Sequence, residues 1–112
     1  MNPSSLEKLC MGFKGTTQDI KWGNDLCYLV GKKMFCVTGL EGFKHVSFKA
    51  SPEDFQQLIE RDGIVPAPYS ARHFWVLVEN PTALRPAEWV MYISRSYELV
   101  FDKLPKKIRD SI

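Results

Sequence analysis

The sequence predicts an α+β fold in which an antiparallel β-sheet carries helices packed on one face, in the order α-β-β-β-β-α-β-α. Three observations lead to this prediction. Short apolar segments separated by glycine-containing turns run from residue 20 to residue 50 and indicate a meander of strands. Ser51-Pro52-Glu53-Asp54 carries the signals of a helix start. Apolar residues then recur at helical spacing between residues 89 and 104.

The segment from Asn2 to Met11 is predicted to form the first helix. Ser4, followed three residues later by Glu7, has the pattern of a capping box. Two glycines at positions 12 and 15 end this helix, and the polar residues 16–19 that follow are typical of a turn.

The meander is predicted to end in its clearest strand, His45–Ala50. There Val46 and Phe48 point to one face, whereas Ser47 and Lys49 point to the other, as in a strand with one packed face. Earlier strands are expected to begin near residue 20 and to include residues 26–30 and 34–38. Gly31-Lys32-Lys33 and Glu41-Gly42 are predicted as tight turns.

The second half of the chain has clear helix boundaries. Ser51 is expected to cap a helix that has Pro52 at its first position and ends at Gly63. A stiff, proline-rich loop follows, and then a strand from about residue 74 to residue 79. A long helix is predicted from Pro86 to about Lys103, followed by a basic tail.

Composition limits the classes of protein that fit. A chain of 112 residues is expected to form one domain, residues 1–112. The net charge of +2 is far from the strong positive field of a dedicated nucleic-acid-binding protein. No apolar run is long enough to span a bilayer, and we see no signal peptide. Three scattered cysteines, Cys10, Cys27 and Cys36, are expected to be buried free thiols in a reducing cytoplasm.

Enzyme signatures are nearly absent from the sequence. Its glycines form no phosphate-binding motif, and its cysteines and two histidines, His45 and His73, do not have metal-ligand spacing. The paired carboxylates Glu53 and Asp54 have an ordinary explanation, because helix N-termini favour acidic residues. We therefore expect a protein that is not an enzyme and that uses neither a cofactor nor a metal.

Binding signals concentrate around the proline-rich loop, where Tyr69, Arg72 and Trp75 lie within seven residues. Trp75 is expected first as a core residue, and an exposed stacking role is the alternative. Arg72 is suited equally to an anion contact and to solvent. Lys49 on its strand and Lys33 beside its turn extend a basic patch, although solvated lysines are ordinary at such positions.

The chain resembles the MmcQ/YjbR family of small bacterial proteins over essentially its whole length. The matching segments, in order, are Trp22-Gly23, Gly31–Phe35, Ser47–Glu53, Pro66–Tyr69 with Arg72 and Trp75-Val76, Ser96–Val100 and Lys103–Lys106. The resemblance implies a compact fold similar to that of type III secretion chaperones, and a DNA-binding label based on a pair of β wings. Some members place His directly before the Trp, where this chain has Phe74.

Three functional hypotheses follow from these observations. In the first, the protein binds DNA in a salt-sensitive manner through Lys33, Lys49, Tyr69, Arg72 and Trp75. In the second, it is an adaptor that binds a protein or peptide on the sheet face or along a strand edge. In the third, which the sequence supports least, a pocket under the loop holds a small ligand. We expect a monomer that does not associate with membranes.

Overall fold

The computed structural model describes residues 1–40, 45–68 and 70–112. Within these ranges the strands are β1 (Thr16–Lys21), β2 (Asp25–Val30), β3 (Lys33–Gly39), β4 (Val46–Lys49), β5 (Ile64–Pro66) and β6 (Trp75–Val78). The helices are α1 (Pro3–Met11), α2 (Pro52–Leu58), α3 (Pro86–Asp102) and α4 (Lys106–Asp110). The strands form one antiparallel sheet in the order β1-β2-β3-β4-β6-β5. The predicted fold class is therefore confirmed.

The prediction of a turn at residues 16–19 is wrong, because these residues form most of β1. This strand lies at one edge of the sheet, and its residues are mostly exposed. It therefore lacks the alternation of apolar and polar residues that marks a half-buried strand. Pairing with β2, from Thr16 opposite Val30 to Lys21 opposite Asp25, holds it in place.

The predicted element order lacks two short elements that the structure contains. The first is β5 at the opposite edge of the sheet, in a segment predicted to be loop. Edge strands tolerate proline because one side of the strand needs no hydrogen-bond partner, and Pro66 ends β5 in this way. The second is α4, which occupies the predicted basic tail. The predicted turn at Glu41-Gly42 lies outside the described residues.

Two helix boundaries differ in detail from those predicted. The capping box of α1 is formed by Asn2 and Ser5, whose side chains each accept a 2.8 Å hydrogen bond from the other's backbone amide. In α2, Ser51 is the cap as predicted and accepts from the amide of Asp54 at 3.1 Å. That helix ends at Leu58, and Gly63 lies in the following turn rather than at the helix end.

The core lies between the helices and one face of the sheet. Cys36 of β3, Phe48 of β4 and Val76 of β6 are paired in register and are all fully buried. From α3, the ring of Tyr92 stacks on Phe48 at a centroid distance of 6.2 Å, and Trp89 packs edge-on against it. The three cysteines are buried free thiols, as predicted. None of the described helices is long and apolar enough to cross a bilayer.

Candidate functional site

A groove with a volume of 660 Å³ is lined by outward-facing strand residues and by the C-terminal end of α3, where Val100 and Leu104 also belong to the core. This volume is within the range of ligand-binding clefts, roughly 300–1,000 Å³. The walls come from the outer face of four strands, the proline-rich loop and the C-terminal end of α3. The lining residues are Trp22, Asp25, Lys33, Met34, Val37, Ser47, Lys49, Ala67, Pro68, Ser70, Trp75, Val100, Lys103, Leu104 and Pro105.

Strand register places the central groove residues side by side. Lys49 of β4 is directly opposite Trp75 of β6, and Ser47 is directly opposite Val37 of β3. Since residues paired in register share a face of the sheet, these four side chains point away from the core. All four are half-buried. Trp75 is thus neither a core residue nor a fully exposed one.

Ser96 of α3 connects the core side of the molecule to the groove. The ladder between β3 and β4 starts at the Cys36–Phe48 pair, after an irregularity in the pairing of β2 with β3. Beyond that pair, the buried Ser96 hydroxyl donates a hydrogen bond of 2.6 Å to the carbonyl of Phe35. It also accepts a hydrogen bond of 3.0 Å from the amide of Lys49. The hydroxyl therefore bridges the point where the two strands separate, and it fixes α3 beside Lys49.

The glycine turn of the β2–β3 hairpin packs closely against Leu104, just after the end of α3. Gly31 has a φ of +57°, and a Cβ at this position would lie 2.6 Å from Cδ1 of Leu104. The close approach requires glycine, because any larger side chain would displace Leu104. Lys33, the first residue of β3, follows this turn and contributes to the groove beside the end of α3.

The charged residues that line the groove are mainly basic. Three lysines, Lys33, Lys49 and Lys103, face it together with one carboxylate, Asp25. Within the described ranges, none of these lysines has an acidic side chain within ion-pair distance. Burial lowers the pKa of Lys49, and the neighbouring ammonium group of Lys103 lowers it further. The described residues therefore give the groove a net positive charge on a largely apolar surface.

Unusual backbone conformations occur along the rim of the groove. In the described part of the chain, the non-glycine residues with positive φ are Trp22, Lys32 and Phe74. Trp22 itself lines the groove and is 71% exposed, and the other two directly precede Lys33 and Trp75. Such conformations are unfavourable for bulky residues and are enriched at functional sites.

The structure brings together three of the five residues predicted as a nucleic-acid site, namely Lys33, Lys49 and Trp75. Arg72 is exposed in a 3₁₀ turn, Ala71–His73, and does not line the groove. His73 lies in that turn as well, and not on a strand. Tyr69 lies outside the described residues.

Sequence reasoning did not select two groove residues, Trp22 and Lys103. Trp22 precedes the turn glycine Gly23, and an aromatic residue in a turn is a signal that was available. Lys103 caps the C-terminus of α3, where cations are ordinary. Its closeness to Lys49 depends on how α3 crosses the sheet, which no local pattern indicates.

Comparison with known proteins places the chain in a family. A family model described as YjbR matches residues 11–99. The chain is similar to the crystal structure of the Deinococcus radiodurans protein DR2400, described with the domain DUF419, with a TM-score of 0.85 at 20% identity over 96% of this chain and 85% of that one. It is also similar to a Pseudomonas syringae protein, with a TM-score of 0.69 at 21% identity over 89% of this chain and 99% of the other.

No curated protein matches the sequence. The two structural likenesses are below 25% identity and therefore concern the fold alone. The family model, in contrast, covers most of the chain, including every groove residue before Val100. The protein thus belongs to the YjbR family.

Proposed function

We propose that this protein is a non-enzymatic DNA-binding protein and that its groove takes a single-stranded segment. The observation that carries the proposal is the combination, in one groove, of three lysines that form no ion pair with a described carboxylate and the side chains of Trp22 and Trp75. Proteins that bind single strands combine a basic groove along the backbone with aromatic side chains on which bases stack.

A single strand fits this groove better than a duplex does. The half-buried Trp75 can meet a base only if the face of that base is free, whereas a duplex hides its base faces in the stack. Lys33, Lys49 and Lys103 would contact phosphates as point charges. Arg72, outside the groove, would extend the basic surface along the strand.

The described residues that line the groove include lysines, tryptophans and apolar side chains, which are groups that bind ligands. Among the described lining residues, the hydroxyls of Ser47 and Ser70 are not accompanied by a histidine or a cysteine. Across the described residues, no group of three His, Cys, Asp or Glu side chains is placed to hold a metal ion. Among the described lining residues, neither serine hydroxyl therefore has a histidine beside it to act as a base.

Titration with a fluorescent oligothymidine, with the corresponding duplex as competitor, tests the proposal. If three phosphate charges are neutralised, affinity for the single strand should fall roughly 20-fold between 50 and 200 mM salt. Trp22→Ala should weaken binding about tenfold, since an exposed stacking side chain is lost. Val90→Ala, which removes another exposed apolar side chain, is the matched control.

A second candidate function is a peptide-binding adaptor. The apolar part of the lining, which includes Met34, Val37 and Leu104, favours it. Peptide binding would bury apolar surface and would persist at high salt, whereas DNA binding would not. If oligothymidine binding is undetectable at 50 mM salt, the DNA proposal is wrong and the adaptor becomes the leading candidate.

A further inference from the structure

Lys49 and Lys103 form a pair of like charges inside the groove. Lys49 lies on β4, and Lys103 is the C-terminal cap of α3; the Ser96 bridge holds these two elements together. Both side chains line the same groove, and the charge of Lys103 contributes to lowering the pKa of Lys49. Neither lysine forms an ion pair with any described acidic residue.

Placing two lysines side by side does not stabilise the fold. Two other charges of α3 do lie beside opposite ones: Glu88 contacts Arg61 at 2.6 Å, and Arg95 contacts Asp54 at 3.0 Å. The negative end of the helix dipole accounts for a cation at Lys103, but not for a second one brought against it from another element. Two like charges, one half-buried at Lys49 and one exposed at Lys103, repel each other, and an anion between them would offset that repulsion.

We propose that Lys49 and Lys103 form a subsite for a phosphate monoester. Two ammonium groups carry two positive charges, and a phosphate monoester carries close to two negative charges at neutral pH, whereas a phosphodiester or a carboxylate carries one. Lysine ammonium groups bind phosphate as point charges that adjust to its position. The apolar wall formed by Val100, Leu104 and Pro105 limits solvent screening on one side.

The identity of the ester rests on the proposed function. If the groove holds a DNA strand, the phosphate monoester is the terminal phosphate of that strand, and Trp75, opposite Lys49, receives the adjacent base. The subsite itself does not require a strand, because a free phosphate group would satisfy the same two charges. Experiments with free phosphate and with strand ends therefore separate the two proposals.

The first experiment titrates the protein with inorganic phosphate at constant ionic strength and follows the backbone amide resonances. We expect saturable shifts centred on Ser47, Lys49, Trp75 and Lys103. Lys49→Met and Lys103→Met should each weaken phosphate binding about tenfold or more, because each removes a charge-assisted contact while keeping the length of the side chain. Lys8→Met, an exposed lysine on α1 outside the groove, makes the same change in net charge and should bind as the unaltered protein does.

Two results would overturn the subsite. One is phosphate shifts that are absent or that lie away from the groove. The other is equal binding of acetate at the same ionic strength, which would show that the double charge is not recognised. The amide spectra of the variants report whether each is folded. Because Lys103 is exposed, Lys103→Met keeps the test valid even if Lys49→Met does not fold.

The second experiment compares oligothymidines with a 5′-phosphate, a 3′-phosphate or hydroxyl groups at both ends, and adds thymidine monophosphate. One of the two phosphorylated oligothymidines should bind about tenfold more tightly than the oligothymidine with hydroxyl groups at both ends. Lys49→Met should abolish that preference. If phosphate and the mononucleotide bind but no oligonucleotide does, the subsite stands and the DNA proposal fails. If oligonucleotides bind without an end preference and phosphate does not bind, the DNA proposal stands and the subsite fails.

Discussion

The charged residues at the two ends of α3 differ in their partners. At the N-terminal end, the carboxylate of Glu88 accepts two hydrogen bonds from Arg61, at 2.6 and 3.0 Å, and one from the amide of Arg85 at 3.1 Å. At the C-terminal end, Lys103 lies beside Lys49 without a described acidic partner. The charge of Glu88 thus has its partners within the protein, whereas in our proposal the two lysines obtain theirs only when an anion binds. Charge at one end should thus contribute to stability, and charge at the other to binding.

The largest effect on stability is expected at Ser96, which holds the C-terminal half of α3 beside Lys49. Ser96→Ala would leave the carbonyl of Phe35 and the amide of Lys49 without their partner. Each unsatisfied buried group costs about 1–3 kcal/mol, so for the two groups we expect the free energy of unfolding to fall by about 2–6 kcal/mol.

Urea denaturation measures this change, and Ser94→Ala is the matched control. The Ser94 hydroxyl donates only to the carbonyl of Val90 one turn earlier in the same helix, so its loss should change stability by less than about 0.5 kcal/mol. Equal effects of the two substitutions would show that the Ser96 bridge does not hold α3 in place.

Next in size is the effect of Glu88→Gln, which should lower the free energy of unfolding by about 1–3 kcal/mol at neutral pH because Arg61 loses a charged partner. The hydrogen bonds from Arg61, and then that from the Arg85 amide, lower the pKa of Glu88 from 4.5 to about 2. A lowered carboxyl pKa contributes stability that is present above the unfolded pKa and is lost as pH falls towards the folded one. The difference between the two proteins should therefore disappear between about pH 4.5 and pH 2.

Urea midpoints of both proteins across this pH range test the prediction. Glu98→Gln alters an exposed carboxylate on the same helix that has no described ion pair, and its effect should be small at every pH. A difference for Glu88→Gln that remained constant down to pH 2 would show that the charge of Glu88 is not what stabilises this end of α3.

The smallest effect on stability, and the opposite one in sign, is expected for Lys49→Met. The substitution removes a half-buried charge and its repulsion from Lys103, so stability should be unchanged or should rise by at most about 1 kcal/mol. Thermal and urea unfolding without phosphate measure it, with Lys8→Met as control. A loss of more than about 1 kcal/mol would mean that Lys49 is structural, and the contrast between the two ends of α3 would fail.

Local signals predicted much of the fold, and they failed where an element has no pattern of its own. Ser51 and Pro52 determine where α2 begins through short-range geometry, and β4 is marked by its alternation. β1 and β5 carry no such signal, because edge strands are held by the partner strand rather than by their own sequence. For the site, Lys33, Lys49 and Trp75 were found because they lie near turns or on an outward strand face, while Lys103 was not.

The sequence by itself therefore determined the α+β class, most helix starts, the buried face of the central strands and the resemblance to the YjbR family. These features depend on residues close together in the chain, where caps, turns and periodicity act directly. Only the tertiary structure decided that Lys103 lies beside Lys49, and that Trp22, from a distant hairpin, shares a groove with Trp75. The first placement depends on the direction in which α3 crosses the sheet, which packing and the Ser96 bridge set, and the second depends on the order of the strands in the sheet; no local pattern encodes either.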